Sequence, residues 1–183
     1  MKVKEIILSA AVKLGISKGV EAYFSGEDNA CEREAELLLE ALNTTETDLA
    51  LNYLPLYAED VLYTTTGALQ YDAFKYSPIR IVEVKNGDGE KVAYKHYPKY
   101  LKVEAGEYTV VYTYAPNKKG VDEDCECTGL APASLLIHGL LSEYCLAEGR
   151  FEEASAWDKK YKDGIEAIYK LGSCKRLKSR RWV

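Results

Sequence analysis

Apolar residues recur along this chain with two different periods, and the change of period divides it. Val3, Ile7, Ala10 and Leu14 are spaced by 4, 3 and 4, which gathers them on one helical face over residues 2–14. Gly15 is placed to end that helix. Ser17 can cap a short helical turn over 18–24, and Ser25-Gly26 breaks the chain. A long helix is predicted from Asp28 or Asn29, with Asn29 and Glu32 as a capping box. Ala35, Leu38, Leu39 and Leu42 are its buried stripe. The polar run "NTTETD" frays or kinks it before Leu49, Leu51 and Leu54 resume the pattern, and Pro55 stops it.

From about residue 58 to 115 the period falls to two. In "EYTVVYTYA", Tyr108, Val110, Tyr112 and Tyr114 share one face, and Thr109, Val111 and Thr113 share the other. "PIRIVEVKNGDGEKVAYKHY" reads as a hairpin turning at Asn86-Gly87-Asp88-Gly89. Shorter strands are predicted over 60–65 and 99–103. Such a meander needs a helix to pack on. The helical period then returns: a helix over 132–147 buries Leu136, Ile137, Leu140, Leu141 and Tyr144. Another over 151–171 buries Ala154, Trp157, Tyr161, Ile165 and Ile168. Their short connection at Gly149 makes an antiparallel hairpin. The expected fold class is α+β: a four-helix bundle of two N-terminal and two C-terminal helices, with an inserted antiparallel β-module. By segment, residues 1–56 hold the N-terminal helices, 57–115 the β-module and 116–131 an acidic loop; 132–172 form the helix hairpin and 173–183 a basic arm.

Composition adds bounds. At 183 residues and 47% hydrophobic, the chain can build a core in one domain or one domain with an insert. Its apolar runs fall far short of the roughly 20 residues that span a bilayer, so no membrane partner is expected. "MKVKEIILSAAVKLG" has a signal-peptide flavour, but Lys13 interrupts it and it reads as a helix of a protein made in the cytoplasm. Asn43-Thr44-Thr45 then matches a glycosylation pattern by chance. The odd count of five cysteines, scattered in sequence, gives no disulfide framework. Fifteen tyrosines against three phenylalanines suit half-covered surfaces as well as amphipathic strands.

The candidate chemistry is thin. "DEDCEC", from Asp122 to Cys127, sets two thiols among Asp122, Glu123, Asp124 and Glu126. A structural zinc site wants four ligands in paired knuckles, and this stretch has no matching pair, so it reads as a solvated acidic loop and no metal is expected. His138 and Cys145 are seven residues apart on one predicted helix, about 10 Å along its axis, too far for a hydrogen bond. No nucleophile elbow or phosphate-cradling loop occurs. "EGRFEEASAWDKKY" starts like a tetratricopeptide helix without the 34-residue recurrence that the repeat requires. No catalytic residue and no cofactor are expected, and the chain is read as a non-enzyme.

One feature is left over. "CKRLKSRRWV" closes the chain, with Lys175, Arg176, Lys178, Arg180 and Arg181 giving five positive charges in a protein of net charge −5. The bland reading is a solvated end. A second is binding to nucleic-acid phosphates. A third is docking on a protein, since Arg and Trp dominate interface hot spots and the strip ends on Trp182 and Val183.

"HGLLSEYCLAEGRFEEASAWDKKYKDGI" followed by "RLKSRRWV" resembles the head–tail connector (adaptor) proteins of tailed bacteriophages, especially those of phages and prophages of Gram-positive bacteria. "LALNYLPLYAEDVLYTTTGALQYDAF" resembles the stretch where their long helix enters the β-module. The resemblance covers about residues 28–183. It implies a structural virion protein at the neck, made in the host cytoplasm. Such proteins form a ring homo-oligomer, often dodecameric, beneath the portal protein, and extend a channel through which double-stranded DNA passes without sequence-specific contact. By the same resemblance, Lys175 to Val183 is the arm that docks on the portal. The acidic loop at Asp122, Glu123, Asp124 and Glu126, or the β-module, lines the channel or faces the next neck or tail component. A nucleic-acid-binding accessory protein using the basic tail, or a neighbouring stopper or tail-completion protein, is the alternative.

Overall fold

The computed structural model describes residues 1–172, the side chains of Thr128, Leu171 and Gly172 excepted. Its chain divides into two compact units, one formed by residues 1–45 with the segment from 119 onward, the other by residues 46–118.

Five α-helices supply the first unit: α1 (Val3–Leu14), α2 (Ser17–Phe24), α3 (Glu32–Asp48), α4 (Ala133–Ala147) and α5 (Phe151–Gly172). Only the last residues of α3 belong to the other unit. The four-helix bundle expected from the sequence is therefore incorrect, although the broader α+β class matches the mixture of helices and antiparallel sheets. The N-terminal part makes three helices rather than two. Gly15 adopts φ +76°, a left-handed conformation that ends α1 and lets the chain restart at Ser17 as a separate eight-residue helix. Asp28 and Asn29 do not open α3; the Asp28 carboxylate accepts from the Ala30 N–H, which holds a turn, and the helix begins at Glu32.

The "NTTETD" run stays helical, and its polar side chains are satisfied on the preceding turn: Asn43 Nδ2 donates to the Leu39 carbonyl at 3.0 Å and Thr45 Oγ1 to the Ala41 carbonyl at 2.8 Å. A five-residue π-helical turn, Leu49–Tyr53, then leads off α3.

α4 is apolar round most of its circumference and is the centre of this unit, with Leu135, Leu136, Ile137, Leu140, Leu141, Tyr144 and Cys145 buried. α1 packs against α2 and α4, and α4 against α5. Gly139 and Gly164 allow the close approach. A Cβ on Gly139 would fall on Thr45 Cγ2 and 3.0 Å from Tyr161 Cε2, and one on Gly164 would lie 2.7 Å from Leu135 Cδ1. The succession Leu135–Gly164, Gly139–Tyr161 and Ser142–Ala154 runs in opposite directions along the two helices, so the hairpin is antiparallel.

The second unit holds two three-stranded antiparallel sheets. β1 (Leu56–Thr64), β6 (Gly106–Tyr114) and β3 (Pro78–Asn86) form one, in the order β1-β6-β3. β2 (Ala68–Gln70), β5 (Tyr100–Lys102) and β4 (Lys95–His96) form the other, in the order β2-β5-β4. β6 is the central strand, and its Tyr108, Val110, Tyr112 and Tyr114 are the buried face. The turn after β3 lies at Asn86–Gly89, where Asn86 Oδ1 accepts from the N–H groups of Asp88 and Glu90. The return strand follows β3 only as far as Val92, whose N–H donates to the Val84 carbonyl, before leaving for the other sheet.

Tyr112 ties this unit together. Its ring is fully buried and meets Phe74 edge-on at 5.0 Å. Its hydroxyl donates to Asp60 Oδ2 at 2.7 Å and accepts from the Tyr76 N–H at 3.2 Å, while the same Asp60 oxygen accepts from the Lys75 N–H. Burial and the neighbouring carboxylate push this phenol up to about 12.

Candidate interaction surfaces

The acidic stretch reads in sequence as a low-apolar loop of functional or mobile character. In the structure its backbone is fastened to the start of α1. The first N–H groups of a helix have no partner within it, and here two of them are taken by the loop: Val3 N–H donates to the Glu123 carbonyl and Lys4 N–H to the Val121 carbonyl, both at 3.0 Å. Cys125 N–H donates back to the Met1 carbonyl, Lys2 Nζ to the Asp122 carbonyl, and Lys2 and Asp124 form a β-bridge. The Met1 amine lies 3.6 Å from Asp124 Oδ1. The loop's other end is held by the Asn43 carboxamide, which accepts from the Lys119 N–H and donates to the Lys119 carbonyl.

The four carboxylates consequently divide. Asp122, Glu123 and Asp124 have exposed side chains, while Glu126 is turned inward onto the Lys119 ammonium. Cys125 and Cys127 are buried. Among the described residues no group of three or more His, Cys, Asp or Glu side chains could hold a metal ion. No described helix is long and apolar enough to cross a membrane.

His138 and Cys145 serve the packing of α4. His138 stacks on Trp157 with ring centres 5.6 Å apart. Burial, followed by the Lys160 and Lys13 ammonium groups, holds its imidazole below the usual histidine range. The same two lysines lie over the Trp157 ring, Lys160 at 4.0 Å and Lys13 at 5.9 Å from its centre. Burial pushes the Cys145 thiol up, away from the thiolate form a nucleophile requires. The other histidine, His96, sits on β4 with Nδ1 3.4 Å from the Tyr71 hydroxyl.

A surface that the sequence reading did not single out lies on the β1-β6-β3 sheet. Alternate residues of β1 face outward, and three are large and apolar: Tyr57 is 62% exposed, Val61 62% and Tyr63 73%. Glu59 lies among them, and Thr109, Val111 and Thr113 continue the face across β6. A groove of about 460 Å³ opens at the Tyr57 end, with Leu51, Ile79, Val82 and Tyr94 in its walls. Monomeric proteins rarely leave large apolar residues clustered like this. The signal was present in "LYAEDVLYT", where apolar residues alternate with both polar and apolar ones, leaving no polar face to turn outward.

The docking arm expected at Lys175, Arg176, Lys178, Arg180, Arg181, Trp182 and Val183 lies outside the described residues. No protein-family model and no curated protein matches the chain.

Proposed function

We propose that this chain is a structural, non-enzymatic component of a phage neck: a head–tail connector that assembles as a ring under the portal, extends the DNA channel and joins capsid to tail. The observation that carries the reading is the ending of the chain. The antiparallel α4–α5 hairpin is followed in sequence by a strip of five positive charges and Trp182-Val183, a pattern that resembles that of the connector family.

The physics supports each part of the proposal. An arm that combines Arg176, Arg180 and Arg181 with Trp182 has the composition of interface hot spots. A body of about −10 outside the arm repels the phosphate backbone, so packaged DNA slides past without sticking. Asp122, Glu123 and Asp124, with exposed side chains on a backbone held in place, suit a channel wall or a platform for the next neck or tail component.

The test is co-expression with a portal protein from the same genome. The full chain is expected to co-purify with the portal ring. A chain truncated after Ser173 is expected to keep its fold, read by circular dichroism, and to lose the portal. Unchanged docking by the truncated chain removes the arm from the account. Tight, salt-sensitive retention of a DNA duplex with no portal capture supports the nucleic-acid reading instead.

A further inference from the structure

The β2-β5-β4 sheet has two unlike faces. Leu69 and Leu101 pair across β2 and β5 and are buried, at 2% and 0% exposure. The register assembles the opposite face from Ala68, Gln70, Lys95, Tyr97, Tyr100 and Lys102. Lys102 stands between Ala68 and Lys95, and Tyr100 pairs with Gln70. The Tyr97 N–H donates to the Tyr100 carbonyl at 2.9 Å, so the two tyrosines face each other where β4 turns into β5. Their rings stack, 4.9 Å apart and 8° from parallel, and Tyr97 is 43% exposed. Residues two apart on a strand are separated by about 7 Å, so a lysine stands beside each ring.

The charges on this face are not balanced. Lys95 and Lys102 are directly opposed across β4 and β5, and like charges so placed destabilise a strand pair. Lys102 turns aside to donate to the Thr66 carbonyl at 3.2 Å. Lys95 and Lys99, the latter in the turn, are exposed, and among the described residues neither forms an ion pair. Asp72 and Glu104 carry the flanking carboxylates and pair with neither lysine. The face also holds no aliphatic side chain longer than Ala68. A stacked aromatic pair between cations matches an acidic peptide only in charge, and a duplex keeps its bases stacked inside. A single strand supplies both complements: phosphates for the ammonium groups and unpaired bases with open flat faces.

We propose that the outer face of the β2-β5-β4 sheet binds single-stranded nucleic acid, with a base laid on Tyr97 and the adjoining phosphates on Lys95 and Lys99. The Tyr97–Tyr100 stack holds the platform in place before binding, and the strand brings the counter-charge that the fold does not provide. The contact reads no sequence, because every base has a flat π face. The inference goes beyond the neck reading and does not rest on it. Its residues lie on the sheet, so portal capture through the arm can fail or succeed independently.

The experiment is fluorescence anisotropy of a labelled strand of about 15 thymidines or uridines, titrated with the full chain over a range of salt. Circular dichroism is the folding control, and the tighter of the two strands names the sugar. The double variant Lys95→Gln, Lys99→Gln is expected to make the log–log salt slope shallower by about 1.4, since each phosphate on a single strand contributes about 0.7. Tyr97→Ala is expected to weaken binding of the strand about tenfold with the slope unchanged, and to leave binding of a duplex of equal length as it was. Tyr97→Phe, which keeps the ring, should bind like wild type. The arm is present in every protein compared, so its five charges cancel from the differences. A double variant and a Tyr97→Ala variant that bind the strand like wild type overturn the proposal and leave the arm as the binding element. So does a Tyr97→Ala variant that weakens strand and duplex alike, or polyglutamate that binds more tightly than the strand and loses that binding in the double variant.

Discussion

Replacing Tyr112 with phenylalanine removes one oxygen from the centre of the second unit and keeps the ring. The hydroxyl links β6 to both Asp60 on β1 and the Tyr76 N–H after β2. A hydrogen bond to a charged group contributes about 1.5–3 kcal/mol, and a donor left without a partner costs about 1–3 kcal/mol. Asp60 keeps the Lys75 N–H as a donor at 2.8 Å and is partly exposed, so the loss falls toward the lower part of these ranges. We expect Tyr112→Phe to destabilise this unit by about 2 kcal/mol at neutral pH.

The same hydroxyl gives the effect a pH signature. Its pKa is raised from 10.0 to about 12 by burial and by Asp60. A raised phenol contributes stability that is complete below pH 10 and is lost as pH climbs through 12, because the unfolded chain ionises first. A tenfold change in an ionisation constant corresponds to about 1.4 kcal/mol. The wild-type advantage over Tyr112→Phe should therefore shrink by about 1.4 kcal/mol between pH 8 and pH 11. Other tyrosines and lysines titrate in this window too, and subtracting the variant cancels them. The assay is urea unfolding followed by far-ultraviolet circular dichroism and by amide exchange of the β6 residues. A wild-type-minus-variant difference that is flat from pH 8 to 11, or smaller than about 0.5 kcal/mol at pH 8, would refute the account of this bond.

Two further perturbations test the helical unit. Gly139→Ala gains up to about 1 kcal/mol in helix propensity but drives a methyl into Thr45 and Tyr161, an overpacking cost of about 1–3 kcal/mol; a net loss in thermal unfolding is expected, and a stabilised variant would show that α4 can shift. His138 should titrate below the usual histidine range in a proton-NMR titration, and Lys160→Met should raise its midpoint. Since a depressed imidazole stays neutral in the fold while the unfolded chain takes up its proton, wild type loses stability as pH falls below about 6.5, and His138→Gln should lack that slope.

What could be read from the chain depended on how far each signal extends. The alternation in "EYTVVYTYA" identifies the buried face of β6 residue by residue, because one face is wholly large and apolar and a central strand buries it. α4 and α5 were legible for the same reason over longer windows. The break at Gly15 and a helical turn over 18–24 were legible too, but eight residues are too few to mark Ser17–Phe24 as a third N-terminal helix beside the expected two. The strand expected over 99–103 is present as β5, but β2 and β4 are only three and two residues long, too few for a period to show that they pair with β5 in a sheet of their own. β1 starts at Leu56, earlier than expected, because its outward Tyr57, Val61 and Tyr63 blur the alternation. The fastening of the acidic loop to α1 runs through main-chain carbonyls at Val121, Asp122 and Glu123, which leave no trace in side-chain pattern.

The claim that most needs testing is that this protein works by assembling rather than by reacting. Native mass spectrometry of the full chain, purified together with a portal protein encoded in the same genome, addresses it in one spectrum. The account predicts a single species in which many copies of the chain ride on one portal ring, with that species absent when residues 174–183 are deleted. A bare portal ring beside a free 20.5 kDa monomer would contradict it.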